Sequence, residues 1–250
     1  MRDVENVIRR LRGGDRLSHV TAAQWLGLPL PRSALADRRL HVTSGPGLSQ
    51  IRARKIVGHR DGGSGVVMVR SVPVSAPERL FLELAEVLGH EDLVVVGDHL
   101  VLTPRFRERG RPFTTLDALA AAAAIGSHAK GAPAARRAIA RVRPGVESPQ
   151  ESRLRLLLTG AGLPEPVCGY ELRGPRGWIG WFDLAWPAHR VLGEYDGDQH
   201  RTDPGQYERD RHRDDLALDA GWHPVHVRAA HLRPDARQDT LTRFRRALRV

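Results

Sequence analysis

The segment GEYDGDQH, residues 193–200, places three acids and a histidine within seven positions, directly after the apolar pair Val191 and Leu192. Carboxylates this close repel one another, and they do not all stay ionised cheaply unless a positive group lies among them. That group could be a solvated arginine, a helix end or a metal ion that carries a phosphate. The segment is therefore the first candidate for a functional site.

Strand alternation indicates which of these carboxylates can meet. The run GWIGWFDLAW, residues 177–186, and the run RVLGEYDG, residues 190–197, are joined by PAH and predict a β-hairpin. In the second strand Leu192, Glu194 and Asp196 share a face. In the first strand one face is predicted to carry Ile179, Trp181, Asp183 and Ala185.

Pairing of the two strands would bring Asp183 beside Glu194. A carboxylate with apolar neighbours is costly without a cation. Mg²⁺ takes carboxylate oxygens, keeps bound water and completes its shell with phosphate. The sequence thus predicts a catalytic pocket at a sheet edge, with Mg²⁺ or Mn²⁺ held by Asp183, Glu194 and Asp196.

Three nearby residues have two interpretations each. Glu151 lies one turn before Leu154 on a helix and can face the pocket, but Ser148–Glu151 also has the pattern of a capping box. We favour His200 as a proton donor or phosphate contact at the rim, the alternative being a loop histidine. For Asp198 we favour a solvated turn. The histidines at 212, 223, 226 and 231 lack a convincing metal-ligand spacing.

Positive charge is concentrated in one stretch of the chain. Residues 104–146 contain 9 Lys and Arg against 2 Asp and Glu, whereas residues 147–250 contain 16 of each. A clustered basic stripe is typical of a protein that binds nucleic acid; the alternative is a solvated helical linker. The expected phosphate contacts in this stretch are Arg136, Arg137, Arg141 and Arg143. Arg209 and Arg213, one helical turn apart, form a solvated face or contact phosphate.

The predicted elements would position this chemistry in the last hundred residues. Ser148 caps a helix with Pro149 at its first position, and the helix buries a leucine face. The order from there is helix, three strands, helix, strand, helix. We therefore predict an α/β fold with a mixed sheet flanked by helices over 147–250. The face is predicted to consist of Leu154, Leu157, Leu158 and Ala161.

The front of the chain predicts a second domain. Residues 1–103 mix helical segments with short strands, among them GVVMVRSVPVS, residues 65–75, and form an α+β domain. An amphipathic helix over 76–89 would bury Leu80, Leu84 and Val87. A helical arm over 114–143 lies in a basic linker, 104–146, with a boundary near residue 145.

Bulk composition limits the functional classes. The 250 residues are 41% hydrophobic, carry a net charge of +10 and contain one cysteine, Cys168, which excludes a disulfide framework and a cysteine-rich zinc site. The start of the sequence lacks the apolar core of a signal peptide, and the run 116–125 is too short to span a bilayer. We expect a soluble cytoplasmic protein.

Residues 147–232 resemble a known nuclease class. The segments SPQESRLRLLL, FDLAW, RVLGEYDGDQHR and YERDRHRDDLALDAGWHPVHVRA resemble the very-short-patch-repair-like endonucleases of the PD-(D/E)xK superfamily. The resemblance implies Mg²⁺-dependent phosphodiester cleavage. Its site residues would be Glu151, Asp183, Glu194, Asp196 and His200.

One position departs from the superfamily pattern. Asp196 stands where the superfamily has a lysine. The short-patch relatives also lack this lysine. The resemblance thus leaves the transition-state charge to the metal, to His200 or to an arginine.

Residues 15–103 resemble the body of AbiEi-type antitoxins of type IV toxin–antitoxin systems, through LSHVTAAQWLGLPLP, LHVTS, KIVGHR and SVPVSAPERLFLELAEVL. The winged helix of that family would precede this region. Two functions are therefore open. One is a metal-dependent endonuclease acting on nucleic acid, expected to be DNA, in repair or defence. The other is a non-catalytic DNA-binding regulator that uses the nuclease fold as a scaffold.

Overall fold

The computed structural model describes residues 7–60, 65–106, 108, 110–126, 130–197 and 204–250, with the backbone alone at 204–207. The chain divides into two compact units, residues 1–142 and residues 143–250. Each unit contains a mixed β-sheet and helices, which confirms the predicted α/β class. Among the described residues no helix is both long and apolar enough to cross a membrane.

The sheet of unit 1 has five strands in the order β3-β2-β1-β5-β4. Pairs β1–β2 and β4–β5 are antiparallel, whereas β1–β5 and β2–β3 are parallel. The strands are β1 (Asp15–Leu17), β2 (Leu40–Ser44), β3 (Ile56–Arg60), β4 (Val66–Val69) and β5 (Val72–Ser75).

The single strand predicted over 65–75 is wrong, because this run folds back on itself as the β4–β5 hairpin. Arg70 and Ser71 both have positive φ, 52° and 62°. A two-residue turn of that kind matches the twist of the flanking strands. Alternating apolar residues continue on both sides of the turn, so the pattern alone does not reveal it.

Helices cover this sheet and complete unit 1. They are α1 (His19–Trp25), α2 (Arg32–Ala36), α3 (Pro77–Leu84), α4 (His90–Val101), α5 (Leu116–Ile125) and α6 (Ala132–Ile139). Leu80 and Leu84 of α3 are fully buried, as predicted, but Val87 is 50% exposed because the helix ends before it.

The basic stretch 104–146 does not form a separate body, since its residues up to Val142 belong to unit 1. On α6 three alanines at helical spacing, Ala132, Ala135 and Ala138, are fully buried. Val142 packs so closely on α4 that a methyl group added to Gly97 would collide with it. The charged positions of α6 lie between these alanines, so the basic face is the outer face of a packed helix.

Unit 2 has the element order that the sequence predicts. Its sheet order is β6-β7-β8-β9, with β6–β7 and β7–β8 antiparallel and β8–β9 parallel. The strands are β6 (Val167–Gly174), β7 (Gly177–Trp186), β8 (Val191–Asp196) and β9 (His223–Arg228). The helices are α7 (Pro149–Gly160), α8 (Pro204–Asp219) and α9 (Arg237–Leu248).

Two apolar clusters fix the layers of unit 2. Helices α7 and α9 pack on one cluster through Leu154, Leu158 and Phe244, together with Leu184 of β7. Helix α8 packs on the other through Ala217, together with other strand residues. Each fully buried leucine contributes about 1.5–3 kcal/mol to the free energy of unfolding. The predicted leucine face of α7 is confirmed, with Leu157 and Ala161 at its margin.

Strand β7 does not keep strict alternation. Phe182 and Ala185, three residues apart, pack in the same cluster, together with Ile179. The prediction that Ile179, Trp181, Asp183 and Ala185 share one face is therefore not met as a regular pattern. The β6–β7 register shifts between Leu172 and Arg173, opposite Gly180 and Trp178, and the β7–β8 ladder ends at Leu184, next to Asp183.

Candidate active site

Asp183 and Glu194 meet where the β7–β8 ladder ends. The last backbone pair is Leu184 with Gly193, and the two acids are the next residues along their strands. There the Asp183 Oδ2 accepts a hydrogen bond from the Tyr195 backbone N–H at 2.8 Å. Burial raises the pKa of Glu194, and the Asp183 carboxyl group is close enough to Glu194 to raise that pKa further. The structure thus brings the two predicted ligands together, though on the two inner strands rather than at a sheet edge.

Glu151 joins these two acids from helix α7. Its backbone N–H donates to Ser148 Oγ at 3.2 Å, and its Oε2 accepts from the Glu147 backbone N–H at 2.9 Å. Burial, followed by the nearby Asp183 carboxylate, raises the pKa of Glu151 to about 8. The helix cap is the Ser148 side chain, and the Glu151 carboxylate accepts from the Glu147 N–H, not from the Ser148 N–H as in a capping box. The same carboxyl group lies close enough to Asp183 for its pKa to be affected.

Glu194 is the most constrained of the three. Its side chain is buried, and burial together with Asp183 raises its pKa well above the ordinary value. The opposing charge is Arg213, whose guanidinium lies 3.2 Å from Glu194 Oε1. Within the described part of the chain, that oxygen has no partner in hydrogen-bond geometry. Glu194 therefore retains an acceptor site with no proton donor aligned to it.

Arg213 is held in this position by two further contacts. Its NH1 donates to the Trp181 carbonyl at 3.2 Å, and its guanidinium lies 4.8 Å from the centre of the Phe182 ring. A methyl group on Gly180 would collide with its aliphatic stem. The interpretation of Arg213 as part of a solvated helix face is therefore wrong, whereas Arg209 is exposed on α8.

Asp196 is engaged differently from the other acids. Its Oδ1 lies 3.0 Å from His226 Nδ1, and its Oδ2 lies 3.6 Å from Arg228 Nε. Burial alone would raise the pKa of Asp196, but the His226 and Arg228 contacts outweigh it and the pKa is lowered. Its carboxylate is already balanced by two cations, which does not fit the predicted role as a metal ligand.

His226 is a site residue that the sequence did not reveal. The second ring nitrogen, Nε2, lies 2.9 Å from Asp214 Oδ2 on α8. Hydrogen bonds to Asp196 and Asp214 raise the pKa of His226 to about 10, so the ring is a cation at neutral pH. Its register partner is Glu194. The contact of His226 with β8 arises only from the parallel pairing of β9 with β8. No short-range sequence pattern predicts this pairing.

The remaining predicted residues have varied placements. His200 and Asp198 lie outside the described residues. Arg136 and Arg137 are exposed on α6, whereas Arg141 is partly buried. Arg143 lies 3.4 Å from Glu165 within unit 2. Two of the four arginines predicted in the basic stretch are thus exposed, and one of them, Arg136, also donates to the Ala123 carbonyl at 3.3 Å.

A second basic surface lies in unit 2. The net charge of residues 147–250 is zero and therefore did not predict it. A cleft of about 670 Å³ opens beside the start of β8 and β9. The charged and titratable residues that line it are all basic: His189, Arg190, His223, Arg243, Arg246 and Arg249. Helix α9 contributes arginines at helical spacing, and this spacing is the sequence pattern from which the basic cleft could have been predicted.

Comparison with known proteins gives no functional assignment. No family model matches the chain, and no solved structure matches it. Two uncharacterized proteins of Mycobacterium tuberculosis strains, MT2308 and Rv2248, are each 31% identical to it over 81 residues. The aligned segment covers 32% of this chain and 30% of either relative, so the chain matches under a third of their length.

Proposed function

We propose that unit 2 is a Mg²⁺- or Mn²⁺-dependent endonuclease that hydrolyses phosphodiester bonds in nucleic acid, with DNA as the expected substrate. The observation that carries this proposal is the convergence of Glu151, Asp183 and Glu194 from one helix and two strands. Burial, followed by the nearby Asp183 carboxylate, raises the pKa values of Glu151 and Glu194, which is the cost of holding acids here without a cation. A dication fits this donor set because it relieves the repulsion among hard oxygen ligands.

Asp183 and Glu194 would hold the metal, which when bound polarises a phosphoryl oxygen and lowers the pKa of a coordinated water. The Tyr195 N–H fixes one oxygen of Asp183 and so orients the carboxylate. Glu151 has a pKa of about 8 without metal. A bound dication would lower this pKa and so free the carboxylate to accept a proton from the attacking water. These roles need only groups that the fold already brings together.

Arg213 and His226 would supply the fixed positive charge that the superfamily lysine provides elsewhere. Arg213 lies against Glu194, and His226 is held between Asp196 and Asp214. With a pKa of about 10, His226 acts as a cation for the developing phosphate charge and not as a base. The role of Asp196 is then to hold and charge His226.

Two exposed basic surfaces support a polyanionic partner. The first is Arg136 and Arg137 on α6 in unit 1, and the second is the basic cleft of unit 2. Clustered arginines bind phosphate through bidentate, charge-assisted hydrogen bonds. We propose that such surfaces hold the nucleic acid backbone while the acidic site acts on one phosphodiester bond.

A second candidate function is a non-catalytic nucleic-acid-binding regulator, as the antitoxin-like front region suggests. The observation in its favour is the ion pair between Arg213 and Glu194, because an arginine can replace the metal as the counterion of a buried acid. On this proposal the carboxylates are structural and divalent ions have no effect.

A cleavage assay on the full chain separates the two functions. Substrates are nicked, mismatched, double-stranded and single-stranded DNA, with RNA of the same sequence, each in Mg²⁺, Mn²⁺ or EDTA. If the protein is a nuclease, we expect it to cleave at least one of these substrates. This cleavage should require metal and should be absent in the Asp183→Asn variant. A parent that binds nucleic acid, cuts none of these and gains no thermal stability from Mg²⁺ or Mn²⁺ would favour the regulator.

A further inference from the structure

Three histidines come together in unit 1, well separated in sequence and in neither function proposed above. His19 is the first residue of α1, His41 lies in β2 and His59 lies in β3. In the β2–β3 register His41 is opposite Val57, and His59 is two residues further along. Residues two apart share a face of the sheet, so the strand pairing itself places both histidines on one side.

The ring nitrogens are close enough to share an ion. One ligand nitrogen from each of the three rings lies within 4.8 Å of the other two. His41 Nδ1 and His59 Nε2 are 3.0 Å apart, and the rings of His19 and His59 stack with centroids 3.8 Å apart. Zinc–imidazole bonds of 2.0–2.1 Å in tetrahedral geometry separate nitrogens by about 3.3 Å. The 3.0 Å separation of the His41 and His59 nitrogens is close to that value.

A second layer of contacts fixes His19. Its backbone has a positive φ of 49°, which non-glycine residues rarely adopt. Its N–H donates to Glu83 Oε2 at 3.0 Å, and its Nδ1 lies 3.1 Å from Ser18 Oγ. Glu83 is itself anchored by Ser75 Oγ at 3.0 Å. The Glu83 bond holds the His19 backbone, whereas the Ser18 contact involves the ring; a contact of the second kind commonly orients a metal-binding histidine and leaves the other ring nitrogen for the ion.

The rings are also in the chemical form that binds metal. Burial lowers the pKa of His19 to about 3 and of His59 to about 4, and burial also lowers the pKa of His41. Neutral imidazole carries a lone pair, whereas imidazolium has none. The three rings are therefore neutral at neutral pH, the form in which imidazole binds a metal ion.

We propose that His19, His41 and His59 form a binding site for a divalent transition-metal ion, with Zn²⁺ as the preferred ion and Co²⁺ and Ni²⁺ as substitutes. Three imidazoles favour these borderline ions over Mg²⁺, which prefers oxygen. The fourth position of a tetrahedral ion would be taken by water or an exogenous ligand. This site lies in unit 1 and does not depend on the endonuclease activity of unit 2.

The test uses the full chain, freed of metal by chelator and dialysis, and titrated with Co²⁺ and Zn²⁺. We expect a d–d absorption band typical of four-coordinate Co²⁺, which Zn²⁺ abolishes at one equivalent. Millimolar Mg²⁺ should leave the band unchanged. At 100 times the dissociation constant, Zn²⁺ should raise the melting temperature of unit 1 by roughly 5–10 °C.

The variants separate this site from other metal-binding groups. His59→Ala and the more conservative His59→Gln should each lose the band and one equivalent of Zn²⁺. The control His90→Ala, at an exposed histidine of the same unit, should keep both, and so should Asp183→Asn in unit 2. A parent without a stoichiometric Co²⁺ complex, or a folded His59→Gln protein that retains it, would overturn the proposal.

Discussion

The acidic cluster of unit 2 and the histidine cluster of unit 1 respond to burial in opposite ways. Burial raises the pKa of Glu151 and Glu194 and lowers the pKa of His19 and His59. In both clusters the neutral form is favoured. The neutral acid has lost its power to bind a cation, whereas the neutral histidine has gained it.

This difference explains the surroundings of each cluster. The acids lie beside Arg213 and His226, which offset their charge. The histidines need no counterion, and Glu83 contacts the His19 backbone. We therefore expect a hard ion such as Mg²⁺ to compete with protons in unit 2. A borderline ion such as Zn²⁺ should bind a site in unit 1 that is already deprotonated.

The largest expected effect is on catalysis in unit 2. Asp183→Asn should reduce metal-dependent cleavage by at least about 10³-fold, because an amide is a poorer Mg²⁺ ligand and the site loses its central charge. Nucleic-acid affinity should change little, and thermal stability in EDTA should rise as the repulsion with Glu151 and Glu194 is removed. Single-turnover rates and melting curves measure both.

Asp215→Asn is the matched control, at an exposed aspartate on α8. It should keep the parental cleavage rate. An Asp183→Asn protein that still cuts at the parental rate would remove the acidic cluster from the mechanism.

The next effect concerns the counterion of unit 2. Arg213→Ala removes the cation that lies 3.2 Å from Glu194 Oε1 and over the Phe182 ring, and should lower the free energy of unfolding by about 1–3 kcal/mol. Glu194→Gln in the same chain should restore much of this loss, because an amide needs no counterion. Denaturant unfolding of the parent, the two single variants and the double variant gives the coupling energy. Additive effects would show that Arg213 stabilises unit 2 through Phe182 and Trp181 alone.

A third prediction is an opposite response of the two units to pH in the metal-free protein. The folded pKa of Glu151 is raised to about 8, so its stabilising effect is full below the unfolded value near 4.5 and is lost as pH rises towards 8. The folded pKa of His19 is lowered to about 3, so its effect is full above 6.5 and is lost as pH falls. Each contribution is a few kcal/mol.

Hydrogen exchange with mass spectrometry follows the two units separately, after correction for intrinsic exchange rates. Between pH 5 and 8 peptides of unit 2 should lose protection, whereas those of unit 1 should not. Glu151→Gln should reduce the loss of protection in unit 2, to which Glu194 also contributes, and should leave unit 1 unchanged. If protection changed equally with pH in both units, the predicted opposite response of the two units would be wrong.

The smallest effect compares the basic surfaces. Replacing Arg136 and Arg137 of unit 1 by alanine should weaken binding to all sequences alike and lower the salt slope of log K by about 2. Arg246→Ala in the cleft of unit 2 should lower it by about 1. Binding isotherms at several salt concentrations measure both, with Arg176→Ala, at an exposed arginine paired with Asp219, as control. If the variant of one unit kept the parental salt slope, the nucleic acid would bind to the basic surface of the other unit.

The sequence predicted unit 2 better than unit 1 because its signals are local and strong. The cap at Ser148, the leucine spacing of α7 and the apolar runs of β7 and β8 each specify an element without reference to distant residues. The meeting of Asp183 with Glu194 followed from hairpin pairing. In unit 1 the three-residue β1 and the turn at Arg70 carry no comparable signal.

Contacts between elements far apart in sequence could not be predicted from these patterns. His226 reaches Asp196 only because β9 pairs in parallel with β8, and the three histidines meet only through the order of β1, β2 and β3. Arg213 faces inward because Gly180 leaves room for its stem. Spacing along one chain segment contains no information about such neighbours.

The hydrogen bond from the Tyr195 N–H to Asp183 gives the site a property that an ordinary strand ladder lacks. A backbone carbonyl is the same acceptor under all conditions, whereas a carboxylate changes when it takes up a proton or a metal. The strength of this hydrogen bond therefore depends on whether Asp183 is ionised, protonated or bound to a metal ion. The hydrogen-exchange rate of the Tyr195 amide should therefore report whether Asp183 is protonated and whether a metal ion is bound at the site.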